Sequence, residues 1–239
     1  MKIICVGRNY ADHAKELKNE VPTEPVIFMK PKSALLPQGK ALYYPEFTED
    51  LHYECELVVK ITGNGKYIQE KFAHKYYGEV SLGIDFTARD LQDKQKKKGL
   101  PWEIAKAFDG SAVVGNFVPI TSETDVHNIA FVLYKNGEMV QKGHTRDMIF
   151  SVDKIIAYVS KFFTLNIGDL IFTGLVRSVA LVDRPDVPVV FPGAPANVGF
   201  QYSLDTTAFP NGTHTIVSKA TDRAGRVATF ATKQVTFSN

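Results

Sequence analysis

One run of ten residues constrains this chain more than any other: His52-Tyr53-Glu54-Cys55-Glu56-Leu57-Val58-Val59-Lys60-Ile61. Side chains alternate across a strand, so Glu54 and Glu56 share one face while Cys55 and Leu57 take the other. The apolar, β-branched continuation Leu57-Val58-Val59 and Ile61 marks a buried strand. Two carboxylates side by side at the end of a core strand repel each other and lose solvation. A hard divalent cation would relieve both costs, and so would an edge left in water. This stretch alone fits either arrangement.

The rest of the composition narrows the class without choosing a function. At 239 residues, 44% hydrophobic and 23% charged, the chain is long enough for one large domain or two small ones. The net charge of +2 argues neither for nor against a nucleic-acid partner, and none is expected. No stretch has the length of a transmembrane span, and Ile3-Ile4-Cys5-Val6 follows the N-terminus with no signal-peptide layout, so neither a membrane nor an export route is expected. Cys5 and Cys55 both sit in apolar, strand-like settings and read as buried reduced thiols, which suits the cytoplasm.

In chain order, Lys2–Val6 reads as a strand and Gly7-Arg8-Asn9 as a turn, with Asn9 capping a short helix from Tyr10 to Leu17. His13 and Glu16 fall on one face of that helix, where a carboxylate raises the basicity of an imidazole. Such a pair can activate water, and it is also a common surface arrangement. Further strands are expected at Val26–Pro31, at Val80–Ile84 ending on Asp85, at Val113-Val114, at Ile129–Tyr134 and at Asp169–Thr173, with hairpin turns at Asn64-Gly65 and Asn136-Gly137. Thr87-Ala88-Arg89-Asp90 resembles a capping box opening a helix that stops at Gly99. The lysines in its last turn complement the helix dipole and read as structural. Leu100–Gly110 is expected to be an irregular loop. Ser151 caps an amphipathic helix with apolar positions Ile155, Ile156, Tyr158, Val159, Phe162 and Phe163.

Val6-Gly7-Arg8-Asn9-Tyr10-Ala11-Asp12-His13, Glu54-Cys55-Glu56, Gly83-Ile84-Asp85-Phe86-Thr87-Ala88-Arg89-Asp90 and Lys97-Lys98-Gly99-Leu100-Pro101-Trp102 together resemble the fumarylacetoacetate hydrolase family, in its acylpyruvase and oxaloacetate decarboxylase branch. The resemblance covers residues 1–174 and implies an α+β, β-rich fold, a mixed β roll with a few helices. It also implies a homodimer. It matches Glu54, Glu56 and Asp85 to the carboxylates that hold a divalent cation, Mg2+ or Mn2+, and an all-oxygen set suits such a hard ion. It matches His13 and Glu16 to a water-activating dyad and Lys106 to the active-site lysine. Arg89, Gln92, Lys30 and Thr173 become candidates for binding a small 2-oxo acid substrate. The implied reaction hydrolyses a C–C bond of an acylpyruvate, or decarboxylates oxaloacetate, with the cation stabilising a pyruvate enolate. His52 shares strand parity with Glu54 and Glu56 and reads as a supporting residue.

Beyond Gly174 the family pattern Thr-Pro-x-Gly-Val-Gly is absent; Leu175-Val176-Arg177-Ser178 stands in its place. Residues 175–239 are rich in Val, Thr, Ala, Pro and Gly, with strands expected at His214–Ala220 and Val227–Phe237 and turns at Pro210–Thr213 and Asp222–Gly225. Arg184-Pro185-Asp186-Val187, Leu204-Asp205-Thr206-Thr207 and Asn211–Thr215 resemble the latter part of a bacterial immunoglobulin-like β-sandwich module. The sequence therefore divides into an enzyme-like core, 1–174, and an all-β segment, 175–239, and reads as a chimera whose new strands complete the core sheet. Two other functional classes follow from the same residues. One is an inactive scaffold lacking the glycine-rich segment; the other is a surface adhesion or carbohydrate-binding module.

Overall fold

The His52–Ile61 run lies within one long strand, β3 (Leu51–Ile61), at the middle of an eight-stranded mixed sheet. The computed structural model describes residues 1–10, 21–135, 138–175, 179–181, 212–221 and 227–237, the last two as backbone. The sheet order is β2 (Val26–Lys30), β1 (Ile3–Gly7), β9 (Leu170–Phe172), β3, β4 (Tyr77–Ala88) and β5 (Ala112–Val114). A short β6 (Val118–Pro119) pairs with β4, and β10 (Val179–Ala180) pairs with β3. Among the described strands of this sheet β1 and β9 pair in parallel and the other pairings are antiparallel.

Alternation along β3 divides the core as the sequence predicts. Leu57, Val59 and Ile61 pack with Ile4, Val6 and Ile171 against helix α3 (Val152–Phe162), which buries Val152, Ile155, Ile156 and Val159. Each such side chain contributes about 1.5–3 kcal/mol of burial. Ser151 caps α3 by accepting from the Lys154 N–H at 3.2 Å. Val58 points the other way, into a cluster with Ile3, Cys5, Leu170 and Phe172. Phe162 and Phe163, by contrast, are exposed, so the apolar face of α3 is narrower than its sequence suggests.

Several local expectations change. The β4 strand runs three residues past Asp85, which puts that carboxylate inside the strand. Helix α1 (Arg89–Lys98) then starts from Ala88 without a side-chain cap. Asp90 instead accepts from Thr48 Oγ1, the Glu49 N–H and the Leu91 N–H. Gly99 does end α1, at φ 65°. Leu100–Gly110 is not wholly irregular, because Glu103–Lys106 forms a short helix, α2. Asn64-Gly65 makes no tight hairpin; Gly65 bridges to Leu165, and a 3-10 turn at Glu70–Lys75 leads into β4. The Asn9 amide donates to Phe150 O and Thr173 O, and its oxygen accepts from Phe150 N; the helix expected to follow it through Leu17 lies outside the described residues beyond Tyr10.

Two further antiparallel pairs complete the described chain, β7 (Ala130–Lys135) with β8 (Glu138–His144), and β11 (Gly212–Thr221) with β12 (Val227–Phe237). The latter two contain the strands expected at His214–Ala220 and Val227–Phe237. The turns at Asn136-Gly137 and Asp222–Gly225, and the segments Arg184–Val187 and Leu204–Thr207, lie outside the described residues. The described fold is thus α+β and β-rich with few helices, none long and apolar enough to cross a membrane.

Candidate metal centre

Strand register assembles the acidic cluster. In the β3–β4 ladder Glu54 stands directly opposite Asp85, and Glu56 opposite Gly83. Like charges directly opposite each other destabilise a sheet. Gly83 is required by space: a Cβ there would lie 2.6 Å from Val58, 2.8 Å from Phe172 and 2.8 Å from Val113 O. Glu54, Glu56 and Asp85 are buried and can each offer one oxygen within 4.8 Å of the others. The expected triad is therefore brought together.

Three cations meet two of these carboxylates. Lys106 Nζ donates to Glu54 Oε2 at 2.7 Å and to Asp85 Oδ2 at 2.9 Å. Arg89 donates to Glu54 Oε1, and also to Gln92 on the next turn of α1. Lys30 Nζ lies 2.7 Å from Asp85 Oδ1, an ion pair without hydrogen-bond alignment. Burial lowers the proton affinity of Lys106, but the Asp85 and Glu54 carboxylates outweigh it and hold the ammonium charged. Glu56 differs. It has no cationic partner among the described residues and accepts only the Gly174 N–H, at 2.7 Å on Oε2. Burial, then the charges of Asp85 and Glu54, push its pKa well above the ordinary carboxylate range.

That imbalance fits a bound divalent cation. Three buried carboxylates, one of them short of positive charge, offer oxygen donors only, which suits Mg2+ or Mn2+ better than a thiolate- or imidazole-seeking ion. The two thiols supply no alternative: Cys5 and Cys55 are free and buried, and burial pushes Cys55 up to about 12.

The other candidates separate by position. Glu54, Asp85, Arg89, Gln92 and Lys106 line a common cleft. Lys30 does not line it. Its ammonium is fully buried and also binds Phe86 O, Ser111 O, Ser111 Oγ and the carbonyl of Lys106, so it fixes the end of α2 that carries Lys106. Thr173 is also outside the cleft, donating its hydroxyl to Leu57 O at 3.0 Å. His52 pairs with Asp50 at 2.9 Å. His13 and Glu16 lie outside the described residues.

Residues the sequence did not single out complete the surroundings. Gly174 adopts φ 103°, and a Cβ there would sit 2.5 Å from Asn9 Cβ. Gln141 bridges the β3 backbone, accepting from Cys55 N at 2.8 Å and donating to Tyr53 O at 3.1 Å. It covers a stretch of β3 lying between the pairings to β9 and β10. Arg8, Lys96 and Trp102 also line the cleft. A non-glycine residue at positive φ (Arg8, 63°) is a local clue, but one visible only in the backbone.

Comparison with known proteins gives a consistent result. The family described as fumarylacetoacetate (FAA) hydrolase, C-terminal, matches residues 2–220. A mitochondrial oxaloacetate tautomerase of Bos taurus is 46% identical over 184 residues, 77% of this chain and 83% of the relative. An oxaloacetate tautomerase of Escherichia coli K12 is 42% identical over 194 residues, 80% of this chain and 89% of the relative. The crystal structure of fumarylpyruvate hydrolase from Pseudomonas aeruginosa in complex with Mn2+ and pyruvate superposes with a TM-score of 0.72 at 38% identity, covering 77% of this chain and 82% of that one.

Proposed function

Since the chain belongs to the fumarylacetoacetate hydrolase family, we propose that it is a Mg2+- or Mn2+-dependent enzyme of 2-oxo acids, with Glu54, Glu56 and Asp85 as the metal ligands. The favoured reaction is hydrolysis of the C–C bond of an acylpyruvate; conversion of oxaloacetate, by decarboxylation or tautomerisation, is the second use of the same site. The relatives named for oxaloacetate and fumarylpyruvate support both. The observation that carries the proposal is Glu56, a buried carboxylate beside two others with no cation of its own.

Once bound, the cation supplies Lewis-acid polarisation of the substrate's carboxylate and 2-oxo oxygens. Lys106 adds a fixed positive charge beside the oxygen on which negative charge develops. Arg89 and Gln92, hydrogen-bonded to each other on one face of α1, orient the substrate in the cleft. Lys30 positions Lys106 through its carbonyl. His13 and Glu16 are assigned the proton of the attacking water, which adds to the distal carbonyl; the C–C bond breaks toward the 2-oxo half, and protonation of the resulting enolate gives pyruvate. A homodimer in the cytoplasm belongs to the same reading.

The test is Mn2+-dependent release of pyruvate from acetylpyruvate, run beside the enol-to-keto conversion and decarboxylation of oxaloacetate. Activity should be lost in Glu54→Ala and His13→Ala. The competing scaffold reading, prompted by the missing Thr-Pro-x-Gly pattern, predicts Mn2+ binding with turnover of neither substrate, and that result would overturn the catalytic assignment.

A further inference from the structure

At the inner end of the cleft Glu54 and Asp85 are ion-paired with Lys30, Lys106 and Arg89, and Glu56 lies beside them, so the three charges of each sign largely balance. The same cleft carries two more cations, Arg8 and Lys96. Neither has a carboxylate in ion-pair range among the described residues. Lys96 follows Arg89 by seven positions and Gln92 by four, so the three form one stripe on α1 leading away from the carboxylates. Seven residues of helix span about 10 Å. Lys96 Nζ lies over the Trp102 ring, 5.5 Å from its centre, and that ring packs against Phe28 at 6.1 Å. Arg8 holds φ 63° at the end of β1, and strained backbone in a cleft is characteristic of functional positions. Lys94, Lys97 and Lys98, its neighbours in the lysine run, do not line the cleft.

We propose that Arg8 and Lys96, the latter set by Trp102, form a second anion subsite that selects 2-oxo acids carrying a distal carboxylate over those ending in an alkyl group. The assignment rests on the 2-oxo acid reading above for the inner half of the cleft. It adds the substrate's second charge and the residues that recognise it. A divalent cation at the inner end leaves the cleft net positive, and a dianion compensates that excess better than a monoanion. Lys96 is already burdened by like charge. Burial first, then Arg89, Arg8 and Lys106, push its pKa down to about 8 against the opposing pull of Asp93. An arriving carboxylate relieves that repulsion.

The experiment is calorimetric titration of the Mn2+-loaded full chain with 2-oxoglutarate and 2-oxopentanoate, which share a chain length and differ at the far end only. The wild type should prefer 2-oxoglutarate by about tenfold, the scale of one charge-assisted contact. Lys96→Met should reduce that ratio to near unity, Lys96→Arg should keep most of it, and Trp102→Leu should lower it by freeing Lys96. Equal affinities in the wild type, or an unchanged ratio in Lys96→Met, would overturn the subsite. Pyruvate release from acetylpyruvate separates the two readings: turnover without discrimination sinks the subsite alone, whereas discrimination without turnover supports the subsite and sinks the catalytic assignment.

Discussion

Gly174→Ala tests whether the backbone at the end of β9 holds the metal centre together. Gly174 is buried at φ 103°, a region that favours glycine, and its N–H donates to Glu56 at 2.7 Å. An alanine would meet Asn9 Cβ at 2.5 Å and Val6 O at 3.1 Å. Neither neighbour can move freely: Asn9 is tied by three hydrogen bonds to Phe150 and Thr173, and Val6 belongs to β1. Backbone strain costs about 1–2 kcal/mol and forced overpacking about 1–3 kcal/mol more. A total near 2–5 kcal/mol lowers the melting temperature by about 4–20 °C for a domain of this size. Gly168→Ala is the control, because Gly168 also has positive φ, 88°, but nothing lies within 4 Å of its added Cβ. It should fall by about 2–8 °C only. Displacing the Gly174 N–H also removes a hydrogen bond to an ionised ligand, so Mn2+ affinity should weaken about tenfold or more in Gly174→Ala and remain unchanged in Gly168→Ala. Melts and Mn2+ titrations of the two variants decide the matter. If Gly174→Ala melts no lower than Gly168→Ala and binds Mn2+ like the wild type, the reasoning fails.

Two other outcomes are expected. Glu56→Gln keeps the shape of the side chain and removes one buried negative charge. In chelator it should melt slightly above the wild type, by on the order of 1 kcal/mol of relieved repulsion, yet lose most of the Mn2+-induced rise; a lower melt in chelator would contradict the repulsion argument. For Lys96, the charged form predominates below about 8, so the preference for 2-oxoglutarate over 2-oxopentanoate should be full at pH 7 and decline as pH rises through and beyond that value. The groups facing it are Arg89 and Asp93 on its own helix, Arg8 in the turn after β1 and Lys106 at the end of α2, and the bound dianion opposes its deprotonation. Proton uptake on 2-oxoglutarate binding at pH 8.5, absent in Lys96→Met, would be the direct signature, and a flat pH profile would refute it.

Much of this was legible in the chain because strand patterning is local. The parity of Glu54 and Glu56 follows from alternation, and the apolar run behind them assigns β3 to the core. Ser151 and Gly99 mark helix ends by their own chemistry. What the sequence misplaced depends on partners far along the chain. Asp85 reads as a strand end until β3 is seen to pair with β4 through Ala88. The lysine run hides Lys96 among equivalent neighbours, and only helix phase against Trp102 distinguishes it.

The register that creates the site also works against the fold. A pair such as Glu54 opposite Asp85 would favour any slip of β3 against β4, but a one-residue slip would move Leu57, Val59 and Ile61 out of the α3 cluster and Val58 out of the cluster on the opposite face. Both apolar faces therefore hold the carboxylates in place against their own repulsion. The cost is concentrated on Glu56, which lacks the cations that serve its neighbours. A divalent ion bound there relieves a strain imposed by the hydrophobic core, so its binding energy appears as folding stability as well as chemistry. Stability gained on adding Mn2+ should accordingly be largest where all three carboxylates are intact, and smaller than the sum of its parts once any one of them is neutralised.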